Sequence, residues 1–235
     1  MSFLIAVHVN EGIVLASDRR TTYTQTSNEN GQQVVKIGVH TTNSTDKTFV
    51  CPNGAGISTC GDASLLGKPI TGYIQEMIRT GISTETKPSD IPQIIIDYFY
   101  GKPTVPNSNF IVAGYEMVED RKVQKLFKVR LTDKNIEEIN TDSQGASWDG
   151  ETLTLTRLIQ DVAVKDTKGG LLWLHDDILW NYFTLQDAID FARFTVETTI
   201  NTMHFKNVVE TVGGSVDILV ITPEETRWIQ KEELK

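Results

Sequence analysis

Cysteine is nearly missing from this chain. Cys51 and Cys60 are the only two among 235 residues, too few for a disulfide framework, and the reading they favour is a reducing, cytoplasmic setting. Basic charge is also short. Twenty-two Lys and Arg face 31 Asp and Glu, a net charge of −9, which argues against a general nucleic-acid surface attracting phosphate. Long apolar runs are absent: Ile94-Ile95-Ile96 and the stretch Gly170–Leu174 fall far short of the ~20 residues of a membrane span, so no membrane partner is expected. The opening Met1–Glu11 has neither a basic leader nor a small-residue cleavage site and does not read as a signal peptide. No phosphate-binding Gly-x-x-x-x-Gly-Lys-Ser/Thr and no Gly-x-Ser-x-Gly elbow occur. His8, His40, His175 and His204 lack the spacing of metal ligands, His175-Asp176-Asp177 being the nearest cluster, so no metal is expected. Cys60 has no positioned histidine to activate it and reads as a small core residue.

What remains is a layered pattern of strands and helices. Ser2–Val9 and Ile13–Ser17 are nearly continuous apolar strands joined by Asn10-Glu11-Gly12, the pattern of strands covered on both faces. Thr21–Asp46 is rich in Thr, Asn, Gln and Ser and reads as a protruding arm. Lys47–Cys51 and Ala55–Cys60 form a second hairpin around Pro52-Asn53-Gly54. Gly61-Asp62 is predicted to open a helix, with Asp62 as its cap and Leu65, Leu66, Ile70, Ile74, Met77 and Ile78 at helical spacing. A second helix is predicted from about Ser89 to Tyr100. Strands follow at Asn109–Met117, Lys122–Leu131 and Ile136–Ile139, then a loop at Gly145–Gly150 and a helix over Glu151–Val164. Thr184 and Asp187 make a capping box for a helix reaching about His204. Strands Ser215–Thr222 and Thr226–Ile229 close the chain. No composition break resembles a linker, so one domain over 1–235 is expected. Paired helices between blocks of strands predict a four-layer αββα sandwich, an α+β class.

Residues Ser2–Thr22 carry a more specific signal. The strand, the Gly12 turn and Val14-Leu15-Ala16-Ser17-Asp18-Arg19-Arg20 resemble the opening of a proteasome β-type subunit, a member of the N-terminal-nucleophile hydrolases. The likeness continues through Lys47 and Gly61-Asp62-Ala63 and returns at Gly213-Gly214-Ser215-Val216. It implies a bacterial proteasome-like peptidase assembled as a homo-oligomer, a ring being one form, and acting on a peptide or small amide without a cofactor. Whether an ATPase partner exists does not follow from it.

The chemistry implied is self-contained. Removal of Met1 would expose Ser2 as an N-terminal nucleophile, and its own α-amine, with an ordinary pKa of roughly 7.7–8.0, is a suitable base near neutrality. Lys47 would place positive charge beside Ser2, Asp18 would orient Lys47, and Arg20 would buttress the pair. The Gly61 N–H, at the expected helix start, would serve an oxyanion. Lys36 competes with Lys47, since its gap from Asp18 is nearer the one the resemblance implies. Lys47 is favoured because it keeps the family's distance to the glycine before the helix and begins the strand of that hairpin, which makes the Thr21–Asp46 arm an insertion.

The sequence also departs from the resemblance. Serine replaces threonine as nucleophile and loses the methyl that restricts its rotamer. The family's Asp-x-x-Ser reads Val209-Glu210-Thr211-Val212 here, removing two polar supports. A supporting loop serine would have to come from Ser143 or Ser147. Two other readings stay open: a non-catalytic assembly subunit, and a non-proteolytic amidase or acylase.

Overall fold

The structure is a computed structural model that describes residues 2–29, 32–174 and 176–233. Met1 and His175 lie outside the described residues, and with them the expectation about Met1 removal and the cluster around His175.

Two five-stranded antiparallel sheets organise the chain. The first strand pair, β1 (Phe3–Val9) and β2 (Gly12–Asp18), is buried along its whole length. This is the outcome expected of strands apolar on both sides, because each face has a cover. β1 and β2 pair from Leu4–Ser17 to Val9–Gly12. The hairpin β3 (Thr21–Glu29) and β4 (Gln32–Thr42) follows as a separate ribbon, which is the polar arm. β5 (Thr48–Val50) and β6 (Gly56–Gly61) form the second hairpin and belong to the other large sheet.

The helix expected to open at Gly61-Asp62 begins eight residues later. After β6 the chain makes a small ribbon, β7 (Ser64–Leu65) with β8 (Lys68–Pro69), and only then α1 (Ile70–Gly81). Gly61 shows why. It ends β6 at φ +116°, and a Cβ there would overlap the Asn107 carbonyl oxygen. Asp62 is tied to the same loop and caps no helix: its N–H donates to the Asn107 oxygen at 3.0 Å, and Asn107 N–H returns a bond to Asp62 Oδ2 at 2.8 Å. α2 (Ile91–Tyr100) is close to its predicted span. β9 (Ser108–Val118), β10 (Arg121–Arg130) and β11 (Asn135–Glu138) then complete the second sheet in the order β11-β10-β9-β6-β5.

Two other segments differ from the sequence reading. The loop expected at Gly145–Gly150 is strand β12 (Gly145–Gly150), paired with β1 from Phe3–Gly150 to His8–Gly145. Its Gly, Ser and Asp content hides an edge strand whose burial comes from one partner. The helix expected over Glu151–Val164 is cut to α3 (Leu153–Ile159), and β13 (Val162–Lys165) pairs instead with β14 (Leu171–Leu174). Alternating Val162 and Val164 suit a ribbon better than a helix continuation. α4 (Leu185–His204) has the anticipated capping box, with both the Thr184 and Asp187 bonds in place. β15 (Val216–Ile221) and β16 (Thr226–Gln230) complete the first sheet, in the order β12-β1-β2-β15-β16.

The predicted four-layer αββα sandwich is corrected by these assignments. The described residues are mostly β, 42% strand against 24% helix, with four α-helices and three two-stranded ribbons beside the two main sheets. The excess strand comes from β12, β13 and β14, where short polar or β-branched stretches pair with neighbours that periodicity does not reveal. Between the two main sheets, Leu4, Ala6, Ile13, Leu15 and Leu219 pack on Ile111, Ala113 and Leu126. α1 and α2 bury Ile74, Met77, Ile95 and Phe99 against Phe110, Val112 and Phe127. α4 buries Ala188, Ala192 and Val196 against Phe3, Ile5 and Val14. No helix among the described residues is long and apolar enough to cross a membrane.

His8 sits on β1, buried, with no hydrogen-bond partner for Nδ1. Burial pushes its pKa below the ordinary value of 6.5, because the cation cannot be solvated there. The unfolded chain therefore takes up a proton near pH 6.5 that the folded chain refuses until lower pH, and stability falls as pH drops below 6.5. Thermal melts of wild type and His8→Leu across pH 5–8 check this. The melting temperature of wild type relative to His8→Leu should decline below pH 6.5 and hold constant above pH 7.5.

Candidate active site

Asp18 ends β2 fully buried and is the centre of the site. Its Oδ1 accepts from Phe3 N at 3.1 Å and from Lys47 Nζ at 2.7 Å. Its Oδ2 accepts from Arg20 N at 3.0 Å and from Gly213 N at 2.9 Å. One carboxylate thus joins the start of β1, the end of β2, the loop before β15 and the residue before β5. Lys47 is also buried and donates a second bond to the Arg20 carbonyl oxygen. Burial pushes the Lys47 ammonium below its ordinary pKa, and the adjacent Asp18 offsets only part of that effect. A lysine in this state gives up its proton more readily than one in water.

Ser2 lies next to this pair. It is 6% exposed, and its carbonyl oxygen accepts from Glu151 N at 2.8 Å. Gly150 passes so close, at φ +89°, that a Cβ on it would overlap the same oxygen. Asp18 Oδ1 therefore places the Lys47 ammonium beside the peptide that links Ser2 to Phe3. Ser2, Thr21, Lys47, Cys60, Gly61 and Asp62 all border one small cavity of about 30 Å³. A more open cleft of about 390 Å³ adjoins it, sharing Thr22, Gly61, Asp62 and Ala63 in its walls.

Of the residues singled out by sequence, Ser2, Lys47 and Gly61 border this cavity, with Asp18 directly behind Lys47. Gly61 gets there from the end of a strand and carries no helix-terminus field. Arg20 contributes its backbone. Its guanidinium turns away to Glu210 and to Asn43 Oδ1, the latter at 2.9 Å. Lys36 is exposed on β4, across from Gln25, and does not border the cavity. Ser147 lies on β12 opposite Ala6 and Ser143 is exposed; neither reaches the cavity. The polar supports missing from Val209–Val212 have a backbone replacement in Gly213 N. Cys60 borders the cavity as a thiol held well above its ordinary pKa, by burial first and by the Asp149 carboxylate second, so it is not a ready thiolate. Among the described residues no three His, Cys, Asp or Glu side chains gather as metal ligands.

Sequence reading passed over Arg19 and Asp217. Arg19 is 1% exposed and Nη1 bonds both Asp217 Oδ2 and Asp46 Oδ1 at 2.8 Å. Nη2 reaches the Ser44 carbonyl oxygen at 3.2 Å, and the Arg19 carbonyl accepts from Thr45 N at 3.1 Å. These bonds fix residues 44–46, the run that delivers Lys47. The available signal was the doubled Arg19-Arg20 directly after Asp18, since neighbouring side chains on an extended chain point to opposite sides. Burial raises the Asp217 carboxyl pKa more than Arg19 lowers it.

Removing the Lys47 ammonium leaves a buried carboxylate without its cation, a change that typically costs about 3–5 kcal/mol. The three backbone N–H donors that remain should hold the loss for Lys47→Met near the low end, about 3 kcal/mol. Urea unfolding of wild type and variant measures it.

No family model and no curated protein matches the chain. Solved structures do. The Gly-1 mutant of Anbu from Hyphomicrobium sp. strain MC1 superposes with a TM-score of 0.57 at 14% identity, covering 99% of this chain and 87% of that one. Anbu from the same strain, in another crystal form, gives 0.57 at 13% identity, covering 98% and 88%. Anbu is a bacterial proteasome-like protein. The resemblance to a peptidase subunit of the proteasome β type, within the N-terminal-nucleophile hydrolases, is corrected accordingly. At this identity the likeness carries the fold and no residue roles, and what holds for this chain is a proteasome-like, Anbu-like architecture.

Proposed function

We propose that the chain hydrolyses amide bonds, in peptides first, with Ser2 as the nucleophile once Met1 has been removed. The observation that carries this reading is the shared Asp18 Oδ1, which accepts both Phe3 N and Lys47 Nζ and so sets a buried ammonium beside Ser2 in a cavity that Gly61 also borders.

In the reaction the Ser2 hydroxyl attacks the substrate carbonyl carbon while its proton passes to the free α-amine of the same residue. The carbonyl electrons move to oxygen, where the Gly61 N–H stabilises the developing charge. Collapse expels the substrate amine, which takes the proton held by the α-amine, and leaves an ester on Ser2. Water then attacks that ester, giving its proton to the α-amine. The acid is released and the hydroxyl restored. Lys47 acts electrostatically, since a cation next to the α-amine disfavours its protonated form and keeps it a base near neutrality. Asp18 supplies the position of that cation.

Intact-mass measurement tests the proposal. Protein lacking Met1, treated with a peptide epoxyketone, should gain one adduct at Ser2, and Ser2→Ala should gain none while keeping its melting temperature. Peptide hydrolysis that survives Ser2→Ala, or turnover by protein that keeps Met1, overturns it.

A further inference from the structure

The cleft beside the Ser2 cavity has an uneven chemistry. Thr22, Tyr23, Thr24, Asp62, Ser64 and Asn107 line it, and Ala63 is its one aliphatic side chain. Hydroxyls and an amide can turn to suit many partners, but a carboxylate only accepts. Asp62 is the single charged residue in those walls, and among the described residues no cation pairs with it.

Its carboxylate is held in place. The reciprocal bonds between Asp62 and the Asn107 backbone fix the side chain through Oδ2, while Oδ1 accepts no hydrogen bond among the described residues. The strained Gly61 turn, packed on the Asn107 carbonyl, sets the same loop geometry. A carboxylate fixed in advance loses little freedom on meeting a ligand. The cations of the Asp18 network offer no competition, since Lys47 is bound to Asp18, Arg19 to Asp46 and Asp217, and Arg20 to Glu210.

We infer that Asp62 determines specificity: the cleft takes a cationic side chain, lysine or arginine, of a peptide whose scissile bond lies at Ser2. This rests on the proposed function for the meaning of the site, but its test does not require turnover. A partly exposed ion pair of this kind is worth up to about 1 kcal/mol, close to a fivefold change in affinity.

The experiment is equilibrium binding of short fluorescent peptides to Ser2→Ala protein at low salt, comparing a lysine peptide with its acetyl-lysine counterpart. Binding should be about fivefold tighter for the lysine peptide, and Asp62→Asn should remove the difference without weakening the acetyl-lysine peptide. Equal affinity for the two peptides, a preference that persists in Asp62→Asn, or no binding of either peptide overturns the inference. The adduct at Ser2 in otherwise unchanged protein reports separately on the catalytic reading, so failure of one is not mistaken for failure of the other.

Discussion

The fold turns on a carboxylate that is out of contact with water. Asp18 draws together four segments from opposite ends of the chain, Phe3, Arg20, Lys47 and Gly213, through three backbone N–H groups and one ammonium. A charge in that position is tolerated only if its lone pairs are filled and its charge is matched. The consequence is mutual. The carboxylate needs the four donors, and the donors, three of them backbone groups in the interior, need an acceptor. Sheet pairing alone leaves room for small shifts at strand ends, whereas a four-donor carboxylate does not.

Around this centre lie two supports of different kinds. Arg19 and Asp217 form a second buried ion pair next to Asp18, since Val216 pairs with Asp18 and Asp217 with Ser17. Through Asp46 and Ser44 the same guanidinium fixes the run into Lys47. The other support is a row of hydroxyls. Ser17 Oγ, Thr48 Oγ1 and Ser58 Oγ lie at successive distances of 2.8 Å, all fully buried. They bridge β2 of one sheet to β5 and β6 of the other, in a layer otherwise filled by Leu4, Leu15 and Leu219. Dispersion between aliphatic groups tolerates sliding, but hydrogen bonds at fixed length resist it. Ser17 and Thr48 are the chain neighbours of Asp18 and Lys47, so the hydroxyl row sets the spacing at which the ammonium meets the carboxylate.

Much of this was legible in the residues, and the reason differs from segment to segment. β1 and β2 are read easily because burial on both faces leaves an unbroken apolar run. α4 is read from its capping box and repeating apolar positions, both local properties. Ser2, Asp18, Lys47 and Gly61 came from a motif, and the structure groups Ser2, Lys47 and Gly61 around one cavity with Asp18 behind. The failures are long-range. β12 looks like a loop because Gly145, Ser147, Asp149 and Gly150 have no strand preference, and only pairing with β1 makes it one. Gly61 looks like a helix start because glycine followed by aspartate commonly is, but its close approach to Asn107, 46 positions on, decides the backbone there. Arg20 is expected to buttress the Asp18–Lys47 pair, and its N–H and carbonyl oxygen meet those two groups while its guanidinium turns to Glu210 and Asn43; sequence identifies a residue and not which of its atoms is used.

The departures from the expected motif are intelligible on the same terms. Where a side-chain acid and hydroxyl are missing at Val209–Val212, Val212 is buried in the α4 core and Glu210 pairs with Arg20 and His204 outside the cavity. What the Asp18 network takes from that segment is the Gly213 N–H, with the Gly213 carbonyl accepting from Arg19 N and Arg20 N at 3.1 and 2.9 Å. A backbone donor makes no demand on the side chains of Val209–Val212, although at Gly213 itself a Cβ would come within 2.5 Å of the Arg20 guanidinium. The ammonium has no such substitute: only a long cationic side chain starting at Lys47 spans to Asp18 and Arg20 at once. The side-chain demand of this network therefore falls on Asp18 and Lys47, and its other three bonds come from main-chain N–H groups.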